Sequence, residues 1–215
     1  MGRRIFSEIS QVDLAWIWRT SGMSIVDDAR QAVKAGEYAQ GLQLIEAAVR
    51  ADVLDPQLLL LRAQCHEHLG NRSQAAVDYA HVAELLGGHP DALLPVAIQL
   101  AHLGRHEEEL ALYDKILARD PDHFDALYLK GLRLVKMNRH AESIAAIDRA
   151  IALRPNDGNS HYTKACAHAL LGQSAEAVSS IEKAIAVAPY LRSSIADDED
   201  FASIANTPEF RRAVG

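Results

Sequence analysis

The sequence is poor in cysteine: Cys65 and Cys166 are the only two among 215 residues, and 101 positions separate them. A disulfide needs Cα atoms within about 7 Å of each other, which a repeat array of the kind read below denies to residues so far apart. Free thiols are therefore expected, in a reducing compartment, here the cytoplasm. Basic clusters are missing too. The formal net charge is -7 and no lysine–arginine run or stripe appears, which argues against general affinity for nucleic acid. No apolar run approaches the ~20 residues that a membrane-spanning helix needs.

The signatures of chemistry are equally scarce. The chain has no glycine-rich phosphate loop, no Gly-x-Ser-x-Gly elbow and no Cys-x-x-Cys pair. Serine, histidine and aspartate are scattered without a nucleophile–base pattern, so neither a catalytic residue nor a cofactor is expected. Ten histidines raise the question of a metal. The densest cluster is Cys65, His66, Glu67 and His68, but helical residues two apart point about 200° away from each other and cannot chelate one ion. His102 and His106 have workable i, i+4 spacing but no third ligand nearby. His66 and His168 fall at a core-facing position and read as packing side chains. No metal site is expected.

What the chain does have is a period. Phe124 to Asp157 reads as two short amphipathic helices joined by a bend at Asn138. The first runs over about 124–137 and puts Leu127, Gly131 and Leu134 on one face. The second runs over 141–153 and puts Ile144, Ile147, Ala150 and Ile151 on one face. Two helices this short cannot bury those faces alone, so neighbours are required.

A stride of 34 residues finds them. From Gly131 it reaches Ala29, Ala63, Ala97 and Ala165, all small. From Asn138 it reaches Gly36, Gly70, Gly104 and Gly172, all suited to bends. From Ala150 it reaches Ala48, Val82, Ile116 and Ala184, and from Pro155 it reaches Val53, Gly87, Pro121 and Pro189. The chain is a helical-hairpin repeat array in five copies.

Three local features modify the pattern. Asp55 reads as an N-cap with Pro56 at the first helical position, a favourable start. Pro95 falls five residues after Pro90, where its missing N–H predicts a kink. Ahead of the array, Ile5, Ile9, Val12 and Trp16 form a helical stripe in a basic start interrupted by Glu8 and Asp13, which makes a poor secretory signal. A myristoylation motif fails because Phe6 stands where serine or threonine is needed. That stripe reads either as a cap packed on the first repeat or as an aromatic edge, with Trp16 and Trp18, for a partner or a second copy.

After Pro189 the sequence predicts a short helix at 191–196, an acidic turn, a helical stretch around Phe201, and a last helix capped by Thr207 and starting at Pro208. Phe201, Ile204 and Phe210 would cover the fifth repeat. The acidic run Asp197 to Asp200 lacks the glycine and spaced carboxylates of a calcium loop and reads as a solvated turn.

The small residue in the first helix, the glycine at the bend, the alanine in the second helix and the terminal proline resemble the tetratricopeptide repeat family. The resemblance covers Gly22 to Leu191. It implies an all-α fold, a right-handed superhelical solenoid of helix–turn–helix repeats with N- and C-terminal capping helices. The implied boundaries are a capping helix at 1–21, repeats at 22–55, 56–89, 90–123, 124–157 and 158–191, and a capping segment at 192–215.

It further implies a non-enzymatic adaptor whose concave wall, built from the first helix of each repeat, binds a protein or peptide partner. By the family's geometry that wall carries Leu60, Gln64, Leu94, Ile98, Tyr128, Leu132, Tyr162 and Cys166, with Glu67, His68 and Lys136 nearer its edges. The clamp with which some members grip acidic chaperone tails would fall on Val26, Arg30, Leu61, Asp91 and Pro95, of which only Arg30 has a suitable charge. An apolar wall with two tyrosines suits an amphipathic helix or an extended hydrophobic peptide. The alternative is a self-associating structural protein, a homo-oligomer formed through the groove or the Trp-rich N-terminal helix. Finally, Glu109 stands where the other repeats carry Gly41, Ala75, Ser143 and Ala177, and a buried carboxylate needs a partner. Lys130 is the expected one.

Overall fold

A computed structural model of the chain describes residues 25–50, 55–87 and 89–215. The readings of the N-terminal stripe, with Trp16 and Trp18, lie outside the described residues. Twelve α-helices and one 3₁₀ turn are present among the described residues, with no strand. None of these helices is long and apolar enough to cross a membrane. The chain divides into two compact units, one of 1–87 with 102–105 and one of 88–101 with 106–215.

The first unit holds α1 (Ile25–Lys34), α2 (Tyr38–Arg50), α3 (Pro56–His68) and α4 (Arg72–Leu85). They pair as hairpins, and α2 and α1 also pack on α3. Ala29, Ile45, Ala48, Leu58 and Cys65 make its core. Asp55 caps α3 by accepting from the Gln57 N–H at 2.9 Å, ahead of Pro56.

The second unit holds α5 (Pro90–His102), α6 (His106–Arg119), α7 (Phe124–Lys136), α8 (His140–Leu153), α9 (Gly158–Leu170) and α10 (Ser174–Val187). It ends in α11 (Leu191–Ala196), the 3₁₀ turn (Glu199–Phe201) and α12 (Pro208–Val214). Helix α5 runs on through Pro95, which is exposed and lacks the N–H that would reach the Asp91 carbonyl.

The bends behave as the stride requires. Gly36, Gly70, Gly104 and Gly172 take φ between 73° and 81°, and Asn138 takes 58°, the left-handed region that closes a helix C-terminus. The small residues also fall where helices touch. Ala29, Ala63, Ala97 and Ala165 are fully buried. A Cβ on Gly131 would sit 2.5 Å from Ile147 Cδ1, and the freed space lets Ser143 Oγ donate to the Gly131 carbonyl at 2.8 Å. Here close approach, not backbone freedom, selects glycine.

The C-terminal elements form as their capping residues dictate. Thr207 accepts from the Phe210 N–H at 3.2 Å, and Pro208 opens α12. Phe201, Ile204 and Phe210 are buried in one cluster with Cys166, Ile181 and Ile195.

Candidate functional site: the groove-facing stripe

The eight residues expected to face the groove are distributed over both units. On α3 of the first unit, Leu60 is half-buried and Gln64 exposed. In the second unit, Leu94 and Ile98 on α5 and Tyr128 and Leu132 on α7 are half-buried, as is Tyr162 on α9, while Cys166 is only 5% exposed. Tyr128 stacks on Phe124, one turn back, with ring centroids 6.2 Å apart. The Arg154 guanidinium covers the Phe124 ring at 3.8 Å. Burial pushes the Tyr128 phenol above its ordinary value, and a hydrogen bond with Thr163 opposes that in part.

The stripe on α9 is occupied by the chain's own C-terminal segment. The Tyr162 hydroxyl donates to Asp198 Oδ2, and the Tyr162 ring lies 6.1 Å from that of Phe201. One turn further along α9, Cys166 faces Asp198 and Asp200, and Ser203 Oγ donates to the Ala169 carbonyl at 3.4 Å. Residues 198–203 thus run along the same face of α9 that carries Tyr162, Cys166 and Ala169. The expected cover of the fifth repeat by Phe201, Ile204 and Phe210 forms, and its acidic neighbours reach Tyr162 and Cys166 as well. The signal for that reach was an aromatic directly following an acidic run, a pattern whose orientation a sequence does not fix.

The acidic run is therefore not simply a solvated turn. Asp197 and Glu199 are exposed, but Asp198 and Asp200 are half-buried and turn inward. The Asp200 N–H donates to Asp198 Oδ1 at 2.9 Å, and the donor atoms of Cys166, Asp198 and Asp200 all lie within 4.8 Å of one another. They are the one set of three metal-type donors that converges among the described residues. Neither His102 with His106 nor residues 65–68 joins such a set. His66 Nδ1 lies 3.4 Å from Asn71 Nδ2, and His168 Nδ1 lies 2.6 Å from Gln173 Oε1, the same contact three repeats on.

Burial raises the Asp200 carboxyl above the ordinary carboxylate value, and the Asp198 charge adds to it, while the Cys166 contact and His140 oppose it. A raised folded-state value means that the fold keeps a proton the unfolded chain has already released. Stability is then greatest below the ordinary value of about 4, declines as pH rises through the raised one, and stays reduced at neutral pH. Asp200→Asn should raise the thermal midpoint at neutral pH, and the two midpoint-versus-pH curves should converge below about pH 4, where Asp200 is protonated. A midpoint at or below that of the wild type would remove this account.

The expected Glu109–Lys130 pair does not form. Glu109, 2% exposed, takes Arg133 instead, whose Nε lies 2.6 Å from Oε2, close enough to pair as ions but out of line for a hydrogen bond. The Tyr113 hydroxyl donates to Oε1 at 3.1 Å, and His106 Nδ1 lies 3.4 Å from Oε2. Lys130 Nζ binds Asp114 at 2.5 Å, and 34 residues on, Lys164 binds Asp148 at 2.6 Å. This lysine–aspartate contact between successive repeats recurs at the 34-residue stride. At the clamp positions, Arg30 is taken up by Asp27 at 3.8 Å and by the Gln57 side chain.

Known proteins share the fold. No curated protein matches the chain. Solved structures of MamA share the fold: MamA MSR-1 has a TM-score of 0.61 at 20% identity over 77% of this chain and 95% of its own. MamA AMB-1 gives 0.61 at 21% over 78% and 99%, and a further MamA crystal structure gives 0.64 at 17% over 79% and 92%. The tetratricopeptide repeat family model matches residues 26–90 and 128–191, more than half of the sequence. The chain belongs to the tetratricopeptide repeat family.

Proposed function

We propose that the protein is a non-enzymatic adaptor that holds a helix or an extended segment of a partner protein against the groove-facing stripe of its second unit. The observation that carries this reading is a pair of repeat-equivalent apolar positions left half-buried, Leu94 with Tyr128 and Ile98 with Leu132. The next stripe of the series, Tyr162 with Cys166, is filled by a peptide segment of the chain itself. A surface of this kind gains by burying apolar side chains from a partner, at about 25 cal/mol per Å² removed from water. Leu60 and Gln64 hold the corresponding positions in the first unit.

The test is affinity capture with wild type and with Leu94→Glu plus Leu132→Glu, both variants checked for helicity. Glutamate at half-buried positions should abolish partner retention while leaving the hairpins folded. An unchanged set of partners on the folded double variant would remove the groove as the working surface.

A further inference from the structure

Four first helices present a stripe at i, i+4 and i+8, and the stripes differ in chemistry. On α3 it is Leu60, Gln64 and His68, on α5 Leu94, Ile98 and His102, and on α9 Tyr162, Cys166 and Leu170. On α7 it is Tyr128, Leu132 and Lys136: a hydroxyl donor, an apolar side chain and a fixed cation in order along one face. Tyr128 and Leu132 are half-buried, and Lys136 is exposed, with no ionic partner among the described residues. The other lysines of the second unit's first helices, Lys130 and Lys164, are both held by aspartates.

The neighbouring stripe shows what such a face accepts. There Tyr162 donates to a carboxylate of a short acidic segment that makes a 3₁₀ turn, and an aromatic ring three residues on packs beside the tyrosine. Tyr128 is the same residue 34 positions earlier, and Leu132 in place of Cys166 enlarges the apolar middle. Lys136 adds a positive end that the α9 stripe lacks.

From these observations we infer that the α7 stripe is a docking site for an acidic–aromatic segment of a partner protein. One carboxylate of the segment meets Lys136, another accepts from the Tyr128 hydroxyl, whose oxygen is already hydrogen-bonded with Thr163, and a bulky apolar side chain covers Leu132. The inference rests on the groove reading above and narrows it to a ligand class. It differs from a clamp for acidic tails in needing the apolar residue between the charges, and in using none of the clamp positions.

A labelled peptide with the chain's own sequence from Ile195 to Ile204, IADDEDFASI, serves as the probe. It is titrated by fluorescence anisotropy into the full chain. Saturable binding is expected, weakened about tenfold by Lys136→Ala, the size of one lost charge-assisted contact, and weakened further by added salt. Replacing the peptide's three aspartates and its glutamate by amides, or its phenylalanine by alanine, should abolish binding. Lys136 is exposed and touches no described ionic partner, so its variant folds, and its effect reads the α7 stripe rather than an exchange of the capping segment on α9.

Equal binding of the amide peptide, or no effect of Lys136→Ala, overturns the acidic–aromatic class. The groove reading then still stands if Leu132→Glu abolishes binding of an uncharged amphipathic helix. If neither peptide binds and groove substitutions leave captured partners unchanged, both readings fall.

Discussion

Replacing Arg133 by methionine should cost the second unit about 3–5 kcal/mol, the penalty for stripping the partner from a buried charge. Glu109 is almost fully enclosed and sits where four other repeats carry a small or weakly polar residue. Arg133 is the fixed cation at its carboxylate, because Lys130 is committed to Asp114. Without the guanidinium, Oε1 keeps the Tyr113 hydroxyl, and Oε2 keeps only His106 at 3.4 Å. The expected signature is non-additivity. Glu109→Ala together with Arg133→Met places at this site the alanine already used at positions 75 and 177, and should recover most of the loss, since no unpaired charge remains. Chemical denaturation of the four-member cycle checks it. A double variant as unstable as the sum of the singles would show that the pair holds the interface by packing alone.

The same ion pair marks where sequence reasoning ran out. That a carboxylate at position 109 would need a partner followed from the repeat alignment. Which cation of α7 would supply it did not. Lys130 and Arg133 lie three residues apart on one helix, and side-chain reach alone does not separate them. The stride decides it: Asp114 and Asp148, with Lys130 and Lys164, form one contact repeated 34 residues on, which removes Lys130 from the choice. The bends and close approaches were legible for the opposite reason. A left-handed φ demands glycine or asparagine, and a 2.5 Å approach to Ile147 forbids a Cβ, so these constraints print directly into residue type.

Legibility was uneven within the candidate site as well. A 34-residue stride predicts which side chains share a face. It carries no information about segments outside the period. Residues 197–203 have no counterpart in the repeats, so their return along α9 could not be projected from them. An acidic run is usually solvated because isolated carboxylates lose hydration on burial. Here Asp198 is compensated by the Tyr162 hydroxyl and the Asp200 N–H, partners that become apparent only in three dimensions.

Phe201→Ala should be the most damaging change in the C-terminal segment, at about 3–5 kcal/mol for emptying a closed aromatic site. Phe201 is fully buried and lies between Tyr162, with ring centroids 6.1 Å apart, and Phe210, at 5.8 Å. Its loss should act locally first. Beyond this cluster the segment is tied to α9 only by hydrogen bonds such as Tyr162 to Asp198 and Ser203 to the Ala169 carbonyl, so residues 197–214 should open ahead of the hairpins.

Cys166 reports that opening. In the wild type its thiol is 5% exposed, and burial, followed by the charges of Asp198 and Asp200, pushes it up, so a thiol reagent should react slowly. In Phe201→Ala the carboxylates withdraw and the thiol meets water, so labelling at Cys166 should accelerate by orders of magnitude, whereas the buried Cys65 on α3 stays slow. Accelerated labelling of both cysteines together would mean that the change unfolds the chain globally. Unchanged labelling of Cys166 would mean that the acidic segment holds its place without the ring. The local outcome alone leaves Tyr162 and Cys166 free to join Tyr128 and Leu132 as an extended docking face. In that case the opened variant should also bind an acidic–aromatic peptide more tightly than the wild type.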